Sequence, residues 1–454
     1  MRNPITLGLR SKIHRPLEEI FKWRVSPFGF ERLIPPWEKV QMVSKNGEKK
    51  AEGSQMILKV KIGPFWQKFA LQRQEYGEGT SFSDVQLYGP FKYWKHTYRF
   101  YFINENVCEI EDIIEFIPKI SFFKSRLIKR MKKALEWSHQ TIKEDHEVLS
   151  KYPTPPLRFL ISGSKGLVGS ELSRFLRASG HEVIRLVRNS KETADDTIYW
   201  DPKTGDIQVE DFEGFDAVFH LAGKNLASGR WTKKFKEEIF LSRCRDSWLL
   251  SQVLLRLVRP PKTLICASAF GIYGDRQEET LTEESAPGSG FLAEICVKWE
   301  SATLAIENRG TRGIHPRFGL ILSIKGGILK KLLPLFRLGL GAVLGTGRQS
   351  ISWIDLKDVI YGLYHVLMTP QLEGPVNFTA PESVTNEIFS KKLANAVHRP
   401  LFFRLGKGLL HGTMGEMADE MLLQSIKAIP KKLDDSGYRF YTPTLEEFFQ
   451  NSLD

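Results

Sequence analysis

Three glycines, Gly163, Gly166 and Gly169, stand at G-x-x-G-x-x-G spacing between the apolar run Leu157 to Ser162 and a segment where Leu167, Val168, Leu172, Phe175 and Leu176 recur at helical intervals. Missing side chains at those places suit a tight turn, close approach by phosphates and helix packing, and the free N–H groups of the helix start attract a pyrophosphate. The chain turns at Gly180, and His181 to Arg188 supplies an alternating second strand, so the stretch reads as one dinucleotide-binding βαβ unit. At its tip stands Arg188, where an Asp or Glu would bond the ribose 2′-OH; a cation there suits a 2′-phosphate and predicts NADP(H) over NAD. Lys165 offers a second phosphate contact. The structural alternatives are a packing-driven turn, a solvated arginine at a strand end and a lysine facing water.

These residues need a sheet to hold them, and 454 residues are too many for one ordinary core. The prolines of KYPTPP, residues 151–156, mark a linker after a long helical segment, which predicts one domain over residues 1–150 and another over 157–454. A 42% hydrophobic and 26% charged composition is that of a soluble globular protein. No apolar run nears the roughly 20 residues of a membrane span, and MRNPITLGLR lacks the apolar core of a signal peptide, so a cytoplasmic location is expected. Cys108, Cys244, Cys266 and Cys296 have neither metal-ligand spacing nor a disulfide framework; buried, reduced thiols and no metal are expected.

The net charge of +12 lies mostly in the first 151 residues, densest at Lys124 to Lys133. Such a patch could meet an anionic membrane surface, nucleic acid or an acidic protein. Because Leu127, Ile128, Met131 and Leu135 form an apolar stripe, the preferred reading is the wet face of an amphipathic helix, with no nucleic-acid partner.

Upstream of the linker, ITLGLRSKI reads as a strand and Pro16 to Trp23 as a helix. SQMILKVKI, WQKFALQRQEY, TSFSDVQLYG, WKHTYRFYFI and VCEIEDIIEFI then read as antiparallel strands, before a final helix from about Phe123 to Leu149. That α+β order resembles the START-like helix-grip domains of the polyketide cyclase and dehydrase group. The resemblance implies an apolar cavity for an apolar ligand, with Phe65, Trp66, Phe91, Trp94, His96 and Tyr98 as lining; the same aromatics also serve as plain core, and His96 as a structural histidine.

Downstream, FDAVFHLAG, KTLICASAFGIYG and GIHPRFGLILS continue the alternation of strands and helices, predicting a doubly wound parallel α/β sheet with a small cap mainly from residues 326–454 and helices at Ile388 to Val397 and Gly415 to Lys427. The segments ISGSKGLVG, FHLAGKNLASGRWT, CASAFGIYGD, GFLAEICVKWE, PRFGLIL, LGTGRQSISWID and PVNFTAPESVTN resemble the extended short-chain dehydrogenase/reductase superfamily, specifically its atypical sugar-nucleotide-epimerase-like branch. The resemblance implies a Rossmann-type module with cofactor along Gly163 to Gly169 and Arg188, beside the Leu221, Ala222 and Gly223 turn, and with Ala267 and Ser268 toward the nicotinamide ribose.

Active members of that superfamily use a tyrosine four residues before a lysine, which lowers the phenol pKa for proton transfer. Here Leu292 and Cys296 occupy those places, and no Tyr-x-x-x-Lys occurs between Thr263 and Pro316. Ser268 and Tyr273 remain as catalytic candidates, although Ala269 stands at the usual catalytic serine. A substrate crevice is expected between Asn225, Arg230 and Trp231 on one loop and Arg348, Ser350, Ser352 and Trp353 on a later turn, Arg with Trp suiting an anionic, partly planar ligand such as a sugar nucleotide; packing roles are the alternative for both tryptophans. Two functions follow: an NADP-dependent epimerase or oxidoreductase acting on a small carbonyl or sugar nucleotide, or a non-catalytic NADP(H)-binding sensor or assembly factor.

Overall fold

In the computed structural model, the described residues are 3–46, 52–120, 124–204 and 207–453. The chain separates into two compact units, Met1–Pro155 with Arg174–Gly180, and Pro156–Ser173 with His181–Asp454.

The first unit is one antiparallel sheet and a long helix. Strand β1 (Ile5–Ile13) leads to helices α1 (Leu17–Val25) and α2 (Pro27–Arg32), then β2 (Val40–Asn46), β3 (Gln55–Ile62), β4 (Phe65–Gly77), β5 (Ser81–Tyr88), β6 (Phe91–Asn104), β7 (Val107–Pro118) and helix α3 (Lys124–Lys151). The order β1-β7-β6-β5-β4-β3-β2 makes the first strand pair with the last, and α3 packs on that sheet. This is a helix-grip-like α+β arrangement. Strand β2 escaped the sequence reading, and α3 continues through Lys151 into the stretch read as linker.

Period-two patterning decides the sheet's inner face: in β7 the buried residues are Cys108, Ile110, Asp112, Ile114 and Phe116. On α3, Met131 and Leu135 are buried against Leu7, Ile114 and Phe116, whereas Lys124, Arg126, Lys129, Arg130 and Lys132 are exposed. Arg130 pairs with Glu38. Phe65 and Trp66 turn outward beside the β3–β4 turn, which corrects their reading as cavity lining.

The second unit is built on a parallel sheet. Its elements are β8 (Arg158–Ser162), the part of α4 (Leu167–Ala178) up to Ser173, β9 (Glu182–Val187), β10 (Thr197–Tyr199), β11 (Ala217–His220), α5 (Lys233–Phe240), α6 (Asp246–Leu255), β12 (Thr263–Cys266), β13 (Ser268–Ala269), α7 (Phe291–Ser301), β14 (Arg312–Phe318), α8 (Leu356–Met368) and β15 (Gly374–Phe378). The order runs β10-β9-β8-β11-β12-β14, and β14 also pairs with β13 and β15. The strands are apolar on both faces, as β8, β11 and β12 show by near-complete burial. Chain order reverses between β8 and β11, which opens a crevice at the carboxyl ends of those two strands.

Residues 326–454 are not purely a cap, because β15 returns to the main sheet. The helix read over Gly415 to Lys427 also differs: an α-helix covers Lys407–Met414, Gly415 breaks it at φ +63°, and the chain resumes over Glu416–Leu423. No helix among the described residues is long and apolar enough to cross a membrane.

Candidate functional site

The crevice begins at Gly163, which follows β8 with φ +71°. A Cβ there would sit 2.7 Å from the backbone of Leu221, and one on Gly169 would sit 2.4 Å from the Gly163 carbonyl oxygen. The glycine turn therefore nests against the Leu221–Ala222 peptide at the end of β11, and α4 packs on the turn itself. Gly166 closes the bend by donating its N–H to the Gly163 carbonyl at 2.8 Å. Helix α4 then opens with Leu167, Val168 and Gly169, whose N–H groups have no partner within the helix.

Cations ring this cradle. Lys165 is exposed and ion-paired to Glu192. Arg188, just past β9 and half exposed, lies 3.4 Å from Asp246, which Arg245 also holds at 2.9 Å. Beneath Gly223 lies a cation that the sequence reading missed, Arg243, whose guanidinium would be 3.5 Å from a Cβ on that glycine. It stacks on Trp299 at 5.1 Å, and its Nη1 is buried without a hydrogen-bond partner. Burial pushes its pKa down. Arg243 belongs to a π-helical turn, Leu241–Arg245, between α5 and α6, a distortion that often marks functional sites. The sequence signal was the Arg-x-Arg of SRCRD, Arg243 and Arg245, just before the apolar run of α6. Behind the cradle, buried His220 shares a 2.7 Å hydrogen bond with Ser162, and its pKa is pushed down to about 4, first by burial and then by Arg188.

The catalytic candidates lie in a buried polar network. Ser268 donates to Glu300 at 2.6 Å, and Glu300 receives Arg317 through two bonds of 2.8 Å. Arg317 also donates to the Tyr273 hydroxyl at 3.0 Å, and the single proton of that hydroxyl has two acceptors in reach, Asn377 Oδ1 at 2.7 Å and the Thr282 carbonyl at 2.9 Å. Tyr273 is completely buried among Ile272, Leu281, Cys296 and Ile426, and burial pushes its pKa up against the opposing pull of Arg317. The expectation that Tyr273 stands in for the missing phenol is thereby corrected: its ring is core and its hydroxyl is fully engaged. Leu292 faces Gly271, and the Cys296 thiol is pushed up to about 12, first by burial and then by Glu300. Ala267 and Ser268 are both buried.

Of the substrate candidates, Asn225 and Arg230 are exposed on the β11–α5 loop, where Asn225 Oδ1 accepts the Ala227 N–H at 2.9 Å. Trp231 is buried, donates its indole N–H to the Leu226 carbonyl and packs edge-on to Phe291. Arg348 is exposed on its turn and Ser350 half-buried. Ser352 and Trp353 are wholly buried, Ser352 bonding the backbone of Ile426 and Ala428 and Trp353 packing on Phe448. Both are removed from the crevice wall by this complete burial. All four cysteines are free and buried. No group of three or more His, Cys, Asp or Glu among the described residues could hold a metal ion.

A doubly wound parallel sheet with a glycine cradle at its topological switch point defines a Rossmann-type α/β module. The model of the NAD dependent epimerase/dehydratase family matches residues 159–378, and that of a domain of unknown function, DUF1731, matches residues 407–452. Epimerase family protein Mb2239 of Mycobacterium bovis is 40% identical over 287 residues, which are 63% of this chain and 94% of that protein. Epimerase family protein YfhF of Bacillus subtilis is 34% identical over 64% of this chain and 96% of that one. The chain belongs to this epimerase family. Among solved structures, a nucleoside-diphosphate sugar epimerase from Corynebacterium glutamicum superposes with TM-score 0.81 and 28% identity over 98% of this chain and 90% of that one. Human epimerase family protein SDR39U1 (isoform 2), solved with NADPH, gives TM-score 0.60 and 29% identity over 65% of this chain and 98% of that one.

Proposed function

We propose that the second unit binds NADP(H) and acts as an epimerase-like or oxidoreductase-like protein on a small carbonyl or sugar-nucleotide substrate in the cytoplasm. One observation carries the cofactor reading: a side-chain-free cradle at Gly163, Gly166 and Gly169 sits among Lys165, Arg188 and the partnerless Nη1 of Arg243, with Arg188 rather than an Asp or Glu as the residue that follows β9, itself paired with Asp246. Such a surface suits a pyrophosphate and a 2′-phosphate. Gly163 to Gly169 would hold the phosphates, Arg188 and Lys165 the 2′-phosphate, and Leu221 to Gly223 with Ala267 and Ser268 the nicotinamide side. Bound there, the cofactor would supply hydride transfer. The human relative solved with NADPH and the bacterial relative described as a nucleoside-diphosphate sugar epimerase support the cofactor and substrate class. Asn225, Arg230 and Arg348 are the exposed groups offered to an anionic substrate.

A second reading has its own support. Ser268 and Tyr273 are both engaged in the Glu300–Arg317 network, which favours an NADP(H)-binding protein without turnover, a redox sensor or assembly factor. Fluorescence titration with NADPH and NADH, followed by absorbance at the nicotinamide band with a panel of carbonyls and sugar nucleotides, separates the two. Turnover of any panel member establishes the enzyme; NADPH binding with no turnover establishes the second reading; binding of neither nucleotide removes both.

A further inference from the structure

The sheet of the first unit gathers several chain ends on one side. Its register pairs Ile62 with Phe65, Ala70 with Tyr88 and Phe91 with Pro118, so the β3–β4 turn, the β5–β6 turn and the end of β7 lie at the same end of the sheet. Helix α3 starts just beyond, at Lys124. Lys119 ties two of these ends by donating to the Gly89 carbonyl at 2.7 Å, and Lys61, Ile62, Pro90, Lys119 and Ile120 border one opening.

The β3–β4 hairpin reaches furthest. Its last pairing with β5 is at Ala70, and the strand continues to Phe65, roughly 16 Å further along. Neighbouring residues of a strand point to opposite faces, yet Phe65 is 70% and Trp66 44% exposed, and Ile62 is exposed beside them. A Cβ on Gly63 would meet nothing within 4 Å. The apolar tip is therefore open on both faces and projects into solvent, and Leu87, Tyr88 and Ile120 add exposed apolar surface at the same end.

Around that tip the charge has one sign. Segments 61–68, 86–95 and 117–133 together hold eleven Lys or Arg and no Asp or Glu. Lys95 pairs with Glu75 and Arg130 with Glu38, whereas Lys61, Lys68, Lys92 and Lys119 form no ion pair among the described residues. A second copy of this chain would set these cations against themselves. A nucleic acid would meet the cations and the two rings but leave Ile62, Leu87 and Ile120 in water. The headgroup layer of an anionic bilayer suits both features: lysines meet lipid phosphates, Trp and Phe enter the interface, and no fixed complementary shape is needed.

We propose that this end of the first unit docks on an anionic lipid bilayer, with Ile62, Phe65 and Trp66 inserted and Lys61, Lys68, Lys92 and Lys119 at the phosphates. The surface uses no residue of the nucleotide cradle. The test is sedimentation of the full chain with vesicles of phosphatidylcholine, alone or mixed with phosphatidylglycerol. Binding to the mixed vesicles is at least tenfold tighter and weakens as salt rises. Phe65→Ser/Trp66→Ser and Lys68→Ser/Lys92→Ser each weaken it at least fivefold while melting as cooperatively as wild type. Lys12→Ser/Lys143→Ser, which removes two exposed cations away from the tip, leaves it unchanged. Equal binding to both vesicles, full binding by the Phe65→Ser/Trp66→Ser variant, or an equal loss in Lys12→Ser/Lys143→Ser overturns the proposal. So does binding of a single-stranded oligonucleotide or of polyglutamate with no binding to either vesicle.

Discussion

Arg317 and Glu300 face each other through two parallel N–H···O bonds of 2.8 Å, and both side chains are largely withdrawn from water. Such a pair stabilises little relative to apolar packing, but losing one member strands a charge. Glu300→Leu is therefore expected to cost about 3 kcal/mol or more of unfolding free energy, the usual scale for an orphaned buried ion. The double variant Glu300→Leu/Arg317→Met should recover much of that loss. Urea denaturation midpoints decide it, and a single variant within 1 kcal/mol of wild type, about the size of an exposed pair, would refute the buried-pair account.

Gly163 and Gly180 separate backbone strain from collision. Both have positive φ, but a Cβ on Gly180 meets nothing within 4 Å, whereas one on Gly163 strikes the Leu221 backbone. Gly180→Ala should cost about 1–2 kcal/mol, the ordinary left-handed penalty. Gly163→Ala should cost more and also abolish NADPH binding, read by thermal melting and nucleotide titration. Equal stability losses with intact binding would count against the cradle.

Arg188→Asp should weaken NADPH by about tenfold or more relative to NADH, since hydrogen bonds to charged groups contribute roughly 1.5–3 kcal/mol. Arg243→Met should weaken both nucleotides, because a cation under Gly223 does not distinguish a 2′-phosphate. Calorimetric titration of each variant provides the comparison, and an unchanged preference in Arg188→Asp would remove that residue as the 2′-phosphate contact.

Asp358 in α8 gives a pH signature. Its carboxyl is pushed up to about 7, first by burial and then by Asp355, against hydrogen bonds from Tyr441 and Tyr438. A carboxyl that binds its proton more tightly when folded contributes stability at low pH and loses it as pH rises through the folded value. The stability of wild type minus that of Asp358→Asn should accordingly fall between pH 3.8 and about 7 and then level off. A flat difference across that window would show that Asp358 is ionised throughout.

Local period explains what was readable beforehand. Residues 157–188 were legible because strand, turn and helix each leave a short-range pattern, and the glycines stand where backbone meets backbone. The antiparallel strands of the first unit were legible for the same reason, except β2, whose VQMVSKN has too little alternation to stand out. Tyr273 reads as a catalytic candidate and Ser352 and Trp353 as crevice residues because residue type suggests contact with a ligand. Yet Tyr273 ends a single 3-10 turn, and Ser352 precedes and Trp353 opens a three-residue strand, where side-chain direction is set by distant partners such as Asn377, Ala428 and Phe448. Arg243 escaped notice because a helix turn with an inserted residue changes which face it presents. Asp112 does not stand out in the sequence, because Glu109, Glu111 and Glu115 share its strand and its partner Arg24 lies 88 positions away.

The pairing of β1 with β7 also governs how the first unit is made. A ribosome releases Ile5–Ile13 long before Val107–Pro118, so the opening segment must wait for its neighbour while the intervening strands zip together, a long-range closure that slows folding. Deleting that opening segment would leave β7 as a bare edge with unsatisfied amides, an invitation to pair with another copy and precipitate.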